Sequence, residues 1–195
     1  MTQMSGLDGK RAFVVGGFGK IGFSTSRALQ EAGAEVVILE QKGAEPPDVS
    51  GISAIAEFDA GRVKHVEELL VSIEERFGPA DILVNCAYPK TERWSENKQE
   101  PLDDTEWCRN VDIQMNAACL SAGHMASRMA RRGGGVVINV ASIYGVVGPD
   151  FGIYDGTNIT MPPAYSAIKA GIINYSRYLA SYYGKQGVRV NTVCP

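Results

Sequence analysis

Short apolar runs alternate along the chain with longer stretches in which apolar residues recur at helical spacing. Six runs have the length and apolar content of buried strands: Arg11–Val15, Glu35–Leu39, Ser53–Phe58, Asp81–Asn85, Val136–Val140 and Val188–Val193. Helical stretches end near Ala32 and cover about 62–77, 105–132 and 164–184, and a polar loop runs from Tyr88 to Asp104. Strands that alternate with helices imply right-handed crossovers. The pattern therefore predicts a doubly wound α/β domain, a parallel sheet with helices on both faces.

Composition indicates one globular domain. The 195 residues are 45% hydrophobic and show no convincing domain boundary. No stretch approaches the roughly 20 apolar residues of a membrane span, and residues 1–10 lack the apolar core of a secretion signal. The net charge of −3 gives no reason to expect nucleic acid or an anionic membrane as a partner. Four dispersed cysteines without metal-ligand spacing indicate reduced thiols of a cytoplasmic protein and no metal site: Cys86, Cys108, Cys119 and Cys194.

Glycines crowd the turn after the first strand. Gly17, Gly19 and Gly22 form the pattern Gly-x-Gly-x-x-Gly between a strand and a helix, which is the setting of a dinucleotide fingerprint. Such a turn lets backbone amides approach a pyrophosphate, whose charge the helix dipole favours. The residues expected to hold a dinucleotide here are Gly16, Gly17, Gly19, Lys20, Ile21 and Gly22.

An acidic residue follows the second strand. Glu40 lies 18 residues after Gly22 and is placed to accept a hydrogen bond from an adenosine ribose. Its charge would repel a 2′-phosphate, so NAD is expected in preference to NADP. Lys20 and Lys42 are nearby and would soften that repulsion. A surface glutamate that merely ends a strand is the plainer interpretation.

Tyr165 and Lys169 are four residues apart in a helical stretch and should share one face. A phenol is a poor proton donor or acceptor at neutral pH, and a fixed cation beside it favours the phenolate. The pair is therefore a candidate for general acid–base catalysis. The alternative is a half-buried tyrosine beside a solvated lysine, because this spacing is frequent on helices.

Together these motifs resemble the short-chain dehydrogenase/reductase family over essentially the whole chain. The glycine turn is similar to that family's Thr-Gly-x-x-x-Gly-x-Gly, with Val15 and Lys20 in place of the threonine and the middle glycine. Further matches follow in the family's order: Phe58-Asp59, Asn85-Cys-Ala-Tyr88 for Asn-Asn-Ala-Gly, Ile138-Asn-Val-Ala-Ser142, Tyr165 with Lys169, and Arg189–Pro195. The resemblance implies a Rossmann fold.

The resemblance also implies roles for the matched residues. Tyr165 would be the general acid or base that interconverts a secondary alcohol and a ketone. Ser142 would orient the substrate oxygen, and Lys169 would favour the Tyr165 phenolate and hold the nicotinamide ribose. Besides the glycine turn and Glu40, the expected cofactor-binding residues are Asp59, Ala60, Asn85, Ala87, Tyr165, Lys169 and Pro195.

One departure from the family falls in the long helix. Many members have an asparagine seven residues after a tryptophan, where it anchors a water of the proton relay. Counting from Trp107 leads to Gln114, which keeps the amide but adds a methylene. Gln114 is therefore a candidate catalytic residue, and Asn116 should face elsewhere.

A second departure lies between Ser142 and Tyr165, where 22 residues intervene, more than the family commonly has. Residues 145–161 are therefore expected to form an insertion over the active site. Its hydrogen-bonding side chains favour a small polar substrate, such as a sugar-like molecule: Asp150, Tyr154, Asp155, Thr157 and Asn158. Residues 142–150 also resemble members linked to bacterial surface-sugar biosynthesis. An insertion that merely packs on a neighbouring subunit is the alternative.

The chain ends at Pro195, where family members continue into a substrate-binding segment, so a carboxyl-terminal part is expected to be missing. By resemblance, the long helix and the Tyr165 helix form a subunit interface, which predicts a homodimer or homotetramer. The alternative to an enzyme is a non-catalytic dinucleotide-binding sensor or scaffold. The variant glycine turn and Gln114 favour that alternative.

Overall fold

The computed structural model describes residues 6–96, 100–157 and 160–195. Its six strands are β1 (Arg11–Val15), β2 (Glu35–Glu40), β3 (Ala54–Glu57), β4 (Ile82–Asn85), β5 (Gly135–Val140) and β6 (Val188–Val193). They form one sheet in the order β3-β2-β1-β4-β5-β6, and every neighbouring pair is parallel. The predicted doubly wound α/β fold is confirmed.

Five α-helices accompany the sheet: α1 (Lys20–Glu31), α2 (Val66–Phe77), α3 (Asp104–Asn110), α4 (Ala117–Arg131) and α5 (Pro163–Tyr183). Short 3-10 turns cover Val63–His65, Trp94–Glu96, Ile143–Gly145, Phe151–Tyr154 and Gly184–Gln186. Among the described residues, no helix is both long and apolar enough to cross a membrane.

The long helix predicted over 105–132 is present from Asp104 to Arg131, but it is not α-helical throughout. A π-helical segment, Val111–Asn116, separates α3 from α4. The Asn110 side chain donates to the Glu106 carbonyl at 2.8 Å, which is the oxygen that an α-helix would pair with the Asn110 amide. Side-chain competition of this kind loosens the helical ladder, and π-bulges are frequent at functional sites.

Two apolar layers cover the two faces of the sheet because strand side chains alternate. Phe13, Leu83 and Met125 belong to the layer under α2, α4 and α5. Val14 and Ile38 belong to the opposite layer, which includes residues of α1. Helices therefore lie on both faces, as the sequence predicts.

The strand order reverses direction between β1 and β4. In the sheet register, Val15 of β1 is the partner of Asn85, which in turn is the partner of Asn139 of β5. The segments after these three strands therefore begin at one edge of the sheet. In doubly wound folds this switch point is where ligands bind.

Candidate active site

The turn after β1 has no room for side chains. A Cβ on Gly22 would lie 2.2 Å from the Gly16 carbonyl oxygen, and one on Gly17 would lie 2.7 Å from the Ile38 side chain. Gly16 has a φ of +73°, and its Cβ would lie 2.7 Å from the Ala87 backbone. The glycines thus pack α1, β2 and the segment after β4 tightly around a bare backbone turn. That cradle fits the pyrophosphate of a dinucleotide at the start of α1.

A cleft of about 230 Å³ opens beside this turn. Six of the residues predicted to bind cofactor line it: Gly16, Gly19, Glu40, Asp59, Ala60 and Ala87. Glu40 accepts from the Phe18 amide at 3.1 Å, which ties the end of β2 to the glycine turn. Asp59 accepts from the Gly61 amide at 2.9 Å. The two carboxylates therefore sit on one cleft, each fixed by a backbone donor.

Other predicted cofactor-binding residues lie outside the cleft lining. The Asn85 side chain is buried and donates to the Ala118 carbonyl at 3.1 Å, so it braces β4 against α4. Ile21 is 49% exposed on the first turn of α1, and Lys20 is exposed beside it. Pro195 accepts from the Ile143 amide at 3.3 Å, which joins the last residue to the turn after β5.

Tyr165 and Lys169 lie beside Tyr88, which lines the cleft, and the turn that begins at Ser142 packs on the helix that carries them. The Lys169 nitrogen lies over the Tyr165 ring, 5.6 Å from its centroid, and donates to the Val140 carbonyl at 3.2 Å. Ser142 is buried after β5, and its hydroxyl accepts from the Tyr144 amide at 3.2 Å. The turn that begins at Ser142 packs on α5, where a Cβ on Gly145 would lie 2.7 Å from the Lys169 backbone.

Two aromatic side chains, to which the sequence patterns give no functional role, lie against Tyr165. The Tyr88 ring meets it edge-on with centroids 5.8 Å apart, and the Trp94 ring does so at 6.3 Å. Trp94 is 6% exposed, although it belongs to the loop predicted to be polar. The available signal was Tyr88 itself, which stands where the family signature has glycine.

Burial changes the proton affinity of two groups beside Tyr165. It lowers the pKa of Lys169 to about 8, against the smaller opposing influence of Cys194 and Cys86. It raises the pKa of Tyr88 to about 12, with a further contribution from Tyr165. Near neutral pH, Lys169 therefore carries its charge and Tyr88 keeps its proton.

Gln114 is buried in the π-helical segment, which packs on α5. Its amide nitrogen donates to Asn110 at 3.3 Å, and its carbonyl oxygen has no partner among the described residues. Asn110 donates in turn to the Thr91 hydroxyl at 2.9 Å, and that hydroxyl donates to the Glu106 carboxylate. No hydrogen bond joins Gln114 to the Ser142–Tyr165–Lys169 group within the described part of the chain.

Residues 145–161, the predicted insertion, use several of their polar side chains locally within the described part of that segment. Asp150 accepts from the Gly152 amide at 2.9 Å, and Thr157 donates to the Tyr154 carbonyl at 2.7 Å. Tyr154 instead pairs with Tyr144, hydroxyl to hydroxyl, at 3.1 Å. That hydrogen bond is the main cause of a raised Tyr154 pKa, to which Tyr165 contributes. Asn158 lies outside the described residues.

No group of three or more His, Cys, Asp or Glu side chains is placed to hold a metal ion within residues 6–96, 100–157 and 160–195. The four cysteines are free thiols.

The fold and its cleft are those of a dinucleotide-binding oxidoreductase. A family model described as enoyl-(acyl carrier protein) reductase matches residues 19–195, and the chain belongs to the short-chain dehydrogenase/reductase family. The expected resemblance is thus confirmed. The protein is an oxidoreductase of CH–OH groups that uses a nicotinamide dinucleotide.

Relatives share the fold over nearly the whole chain. A 7α-hydroxysteroid dehydrogenase from Bacteroides fragilis is 29% identical over 98% of this chain and 73% of its own length. A galactitol 2-dehydrogenase from Rhizobium johnstonii is 28% identical over 97% of this chain and 72% of its own. The structure of a short-chain dehydrogenase from Leptospira borgpetersenii with bound NAD⁺ has a TM-score of 0.80 and 29% identity, covering 96% of this chain and 71% of that one. The relatives' substrates differ in polarity.

Proposed function

We propose that the protein interconverts a secondary alcohol and a ketone on a small polar substrate, with Tyr165 as the general acid or base. The observation that carries this proposal is the Tyr165–Lys169 pair, which lies against Tyr88 at the wall of the glycine-lined cleft, with the turn that begins at Ser142 packed on the same helix. The cradle around Gly16, Gly17 and Gly22 fits a dinucleotide, with Glu40 and Asp59 facing the same cleft.

The bound nicotinamide supplies or accepts the hydride. For ketone reduction, Tyr165 gives its phenolic proton to the substrate oxygen, and for alcohol oxidation it takes that proton back. Ser142 holds the same oxygen through its hydroxyl, where negative charge develops. Lys169 carries its charge beside the Tyr165 ring, which favours the phenolate after proton transfer, and it also holds the nicotinamide ribose.

Turnover of NADH with a panel of ketones tests the function. We expect the full-length protein to reduce a polyhydroxylated ketone with a higher kcat/KM than a simple ketone of similar size. Tight NADH binding without turnover of any ketone in the panel would contradict the proposed reaction and substrate class.

The polar substrate class rests on the insertion. Tyr144 and Tyr154 present two hydrogen-bonded hydroxyls on the segment that follows Ser142, and Tyr165 is close enough to contribute to the raised pKa of Tyr154. Paired phenols donate to and accept from hydroxyl groups. A polyol or keto sugar would form hydrogen bonds with both phenols. A polyol is also the substrate named for the galactitol 2-dehydrogenase relative.

Gln114 is assigned to the proton relay because its buried carbonyl oxygen lacks a partner among the described residues. A buried unpaired oxygen is a favourable site for a bound water, and that water would connect the active site with solvent. Gln114→Ala should lower kcat about tenfold and displace its pH profile. An unchanged kcat and an unchanged pH profile in this variant would remove Gln114 from the mechanism.

We also expect a homodimer or homotetramer in the cytoplasm. Tyr178 and Tyr182 are 57% and 59% exposed on α5 and stack on one another with ring centroids 5.9 Å apart. Large exposed aromatic patches of this kind mark protein interfaces. Light scattering that gave the mass of a monomer at micromolar concentration would refute the assembly.

A further inference from the structure

Tyr88 lies between the dinucleotide cleft and the proposed catalytic pair. It follows β4, lines the cleft, and is 41% exposed. In the family signature matched by residues 85–88, this position is a glycine, which has no side chain to offer. The ring is therefore a feature that this chain adds to the site.

The face of the Tyr88 ring is turned toward Lys169. The lysine nitrogen lies 5.4 Å from the Tyr88 centroid and 5.6 Å from the Tyr165 centroid. Both distances are within the range of a cation–π interaction, which is strongest where water is excluded. Lys169 is only 5% exposed, so its ammonium has lost most of its hydration and faces two aromatic rings instead.

Carboxylates take no part in compensating the Lys169 charge. Among the described residues, none lies within 4.0 Å of its nitrogen. Its hydrogen-bond partner is the Val140 carbonyl at 3.2 Å. A buried ammonium without a counter-ion is costly, and the Tyr88 ring is thus one of the few groups that favour the charged form.

Trp94 fixes the position of the Tyr88 ring. The indole N–H donates to the Tyr88 hydroxyl at 2.9 Å, and the two rings meet edge-on with centroids 6.1 Å apart. Trp94 is itself buried against Ala141, Ala164 and Ile168. The loop after β4 is therefore anchored so that Tyr88 keeps its ring face toward the lysine.

From this geometry we propose that Tyr88 is a positioning residue, which holds the Lys169 ammonium beside Tyr165 through the face of its ring. The role of Tyr88 in turnover rests on the proposed function, whereas its contact with Lys169 does not. The titratable groups around Lys169 are Tyr88, Tyr165, Cys86 and Cys194. Replacing Tyr88 by an uncharged aliphatic residue therefore introduces no charge near the ammonium, and a change in the Lys169 titration reports the loss of the ring.

The test is the titration of Lys169 in the cofactor-free protein. ¹³C NMR of protein labelled at the lysine Cε carbons would follow the ammonium against pH, with Lys169→Arg to assign the signal. In Tyr88→Leu, which keeps the apolar bulk but removes the ring, the affinity of Lys169 for its proton should fall about tenfold, which is about 1.4 kcal/mol. Tyr88→Phe is the matched control, because it loses the hydroxyl and its hydrogen bond from Trp94 but keeps the ring and the edge-on contact with the indole that also holds the ring in place. It should titrate like the wild type.

Tyr88→Met provides a second non-aromatic variant if Tyr88→Leu fails to fold by circular dichroism. In turnover assays, activity should decline as the pH rises and Lys169 loses its proton. In both non-aromatic variants this decline should begin at a lower pH than in Tyr88→Phe, because Lys169 binds its proton less tightly. Identical Lys169 titrations in Tyr88→Leu, Tyr88→Phe and wild type would overturn the proposal, even if the wild type turns over ketones. A wild type without turnover but with the expected Lys169 titrations would instead reject the proposed function alone.

Discussion

Tyr165→Phe is expected to lower kcat for ketone reduction about 1000-fold, within the range that a positioned general acid contributes. The substitution removes the proton and keeps the ring that packs against Tyr88, Trp94 and Lys169. NADH affinity should therefore change by less than about threefold, because only an interaction made in the transition state is lost. The measurement is steady-state turnover together with NADH fluorescence titration.

Tyr178→Phe is the matched control for that experiment. It makes the same chemical change on the same helix, outside the site, and keeps the ring that stacks on Tyr182 at the proposed subunit interface, so it should leave kcat unchanged. If Tyr165→Phe retained more than about a tenth of wild-type kcat, a general-acid role would be excluded, since such groups contribute at least about 100-fold.

NAD should bind about 100-fold more tightly than NADP, and Glu40→Gln should remove most of that difference. Glu40 faces the cleft at the end of β2, so its charge opposes a 2′-phosphate at close range, and like charges placed together cost several kcal/mol. Glutamine keeps an oxygen for the Phe18 amide, which Glu40 accepts at 3.1 Å. Glu40→Gln should therefore change the affinity ratio mainly by binding NADP more tightly. Fluorescence titration with both reduced cofactors measures this change.

Glu35→Gln removes the same charge from the other end of the same strand, where Glu35 is an exposed partner of Arg11. The NAD-to-NADP ratio of this control should match that of the wild type. Equal affinities for the two cofactors in the wild type would contradict the assignment of Glu40, and would show that Lys20 and Lys42 outweigh it.

The strands and the glycine turn could be predicted because their signals are local. Apolar runs such as Val36–Leu39 are bounded by charged or small residues, and a parallel sheet buries them on both faces. Gly22 is required by a contact with Gly16 only six residues away. The prediction of fold and family is therefore confirmed.

The features that could not be predicted depend on contacts between distant segments. Trp94 is buried in a cluster with Ala141, which follows β5, and with residues of α5. A polar-loop pattern does not reveal such contacts. The π-helical segment begins directly after Asn110, whose side chain bonds both Glu106 and Thr91. Helical periodicity alone cannot show that a side chain will displace a backbone bond.

The number of polar side chains in residues 145–161 that could face a substrate was also not predictable from the sequence. Asp150 and Thr157 satisfy backbone groups of their own turn, as short polar side chains commonly do. Tyr154 reaches back to Tyr144 instead. A count of hydrogen-bonding residues therefore overstates how many of them are offered to a substrate.

Stopped-flow NADH fluorescence with excess full-length protein and a polyhydroxylated ketone tests the central claim most directly. A single turnover isolates the chemical step from product release. We expect a rapid loss of NADH fluorescence in the wild type and none on the same timescale in Tyr165→Phe, although both proteins bind NADH. Equal rates in the two proteins, or NADH binding by the wild type without any loss of fluorescence, would contradict it.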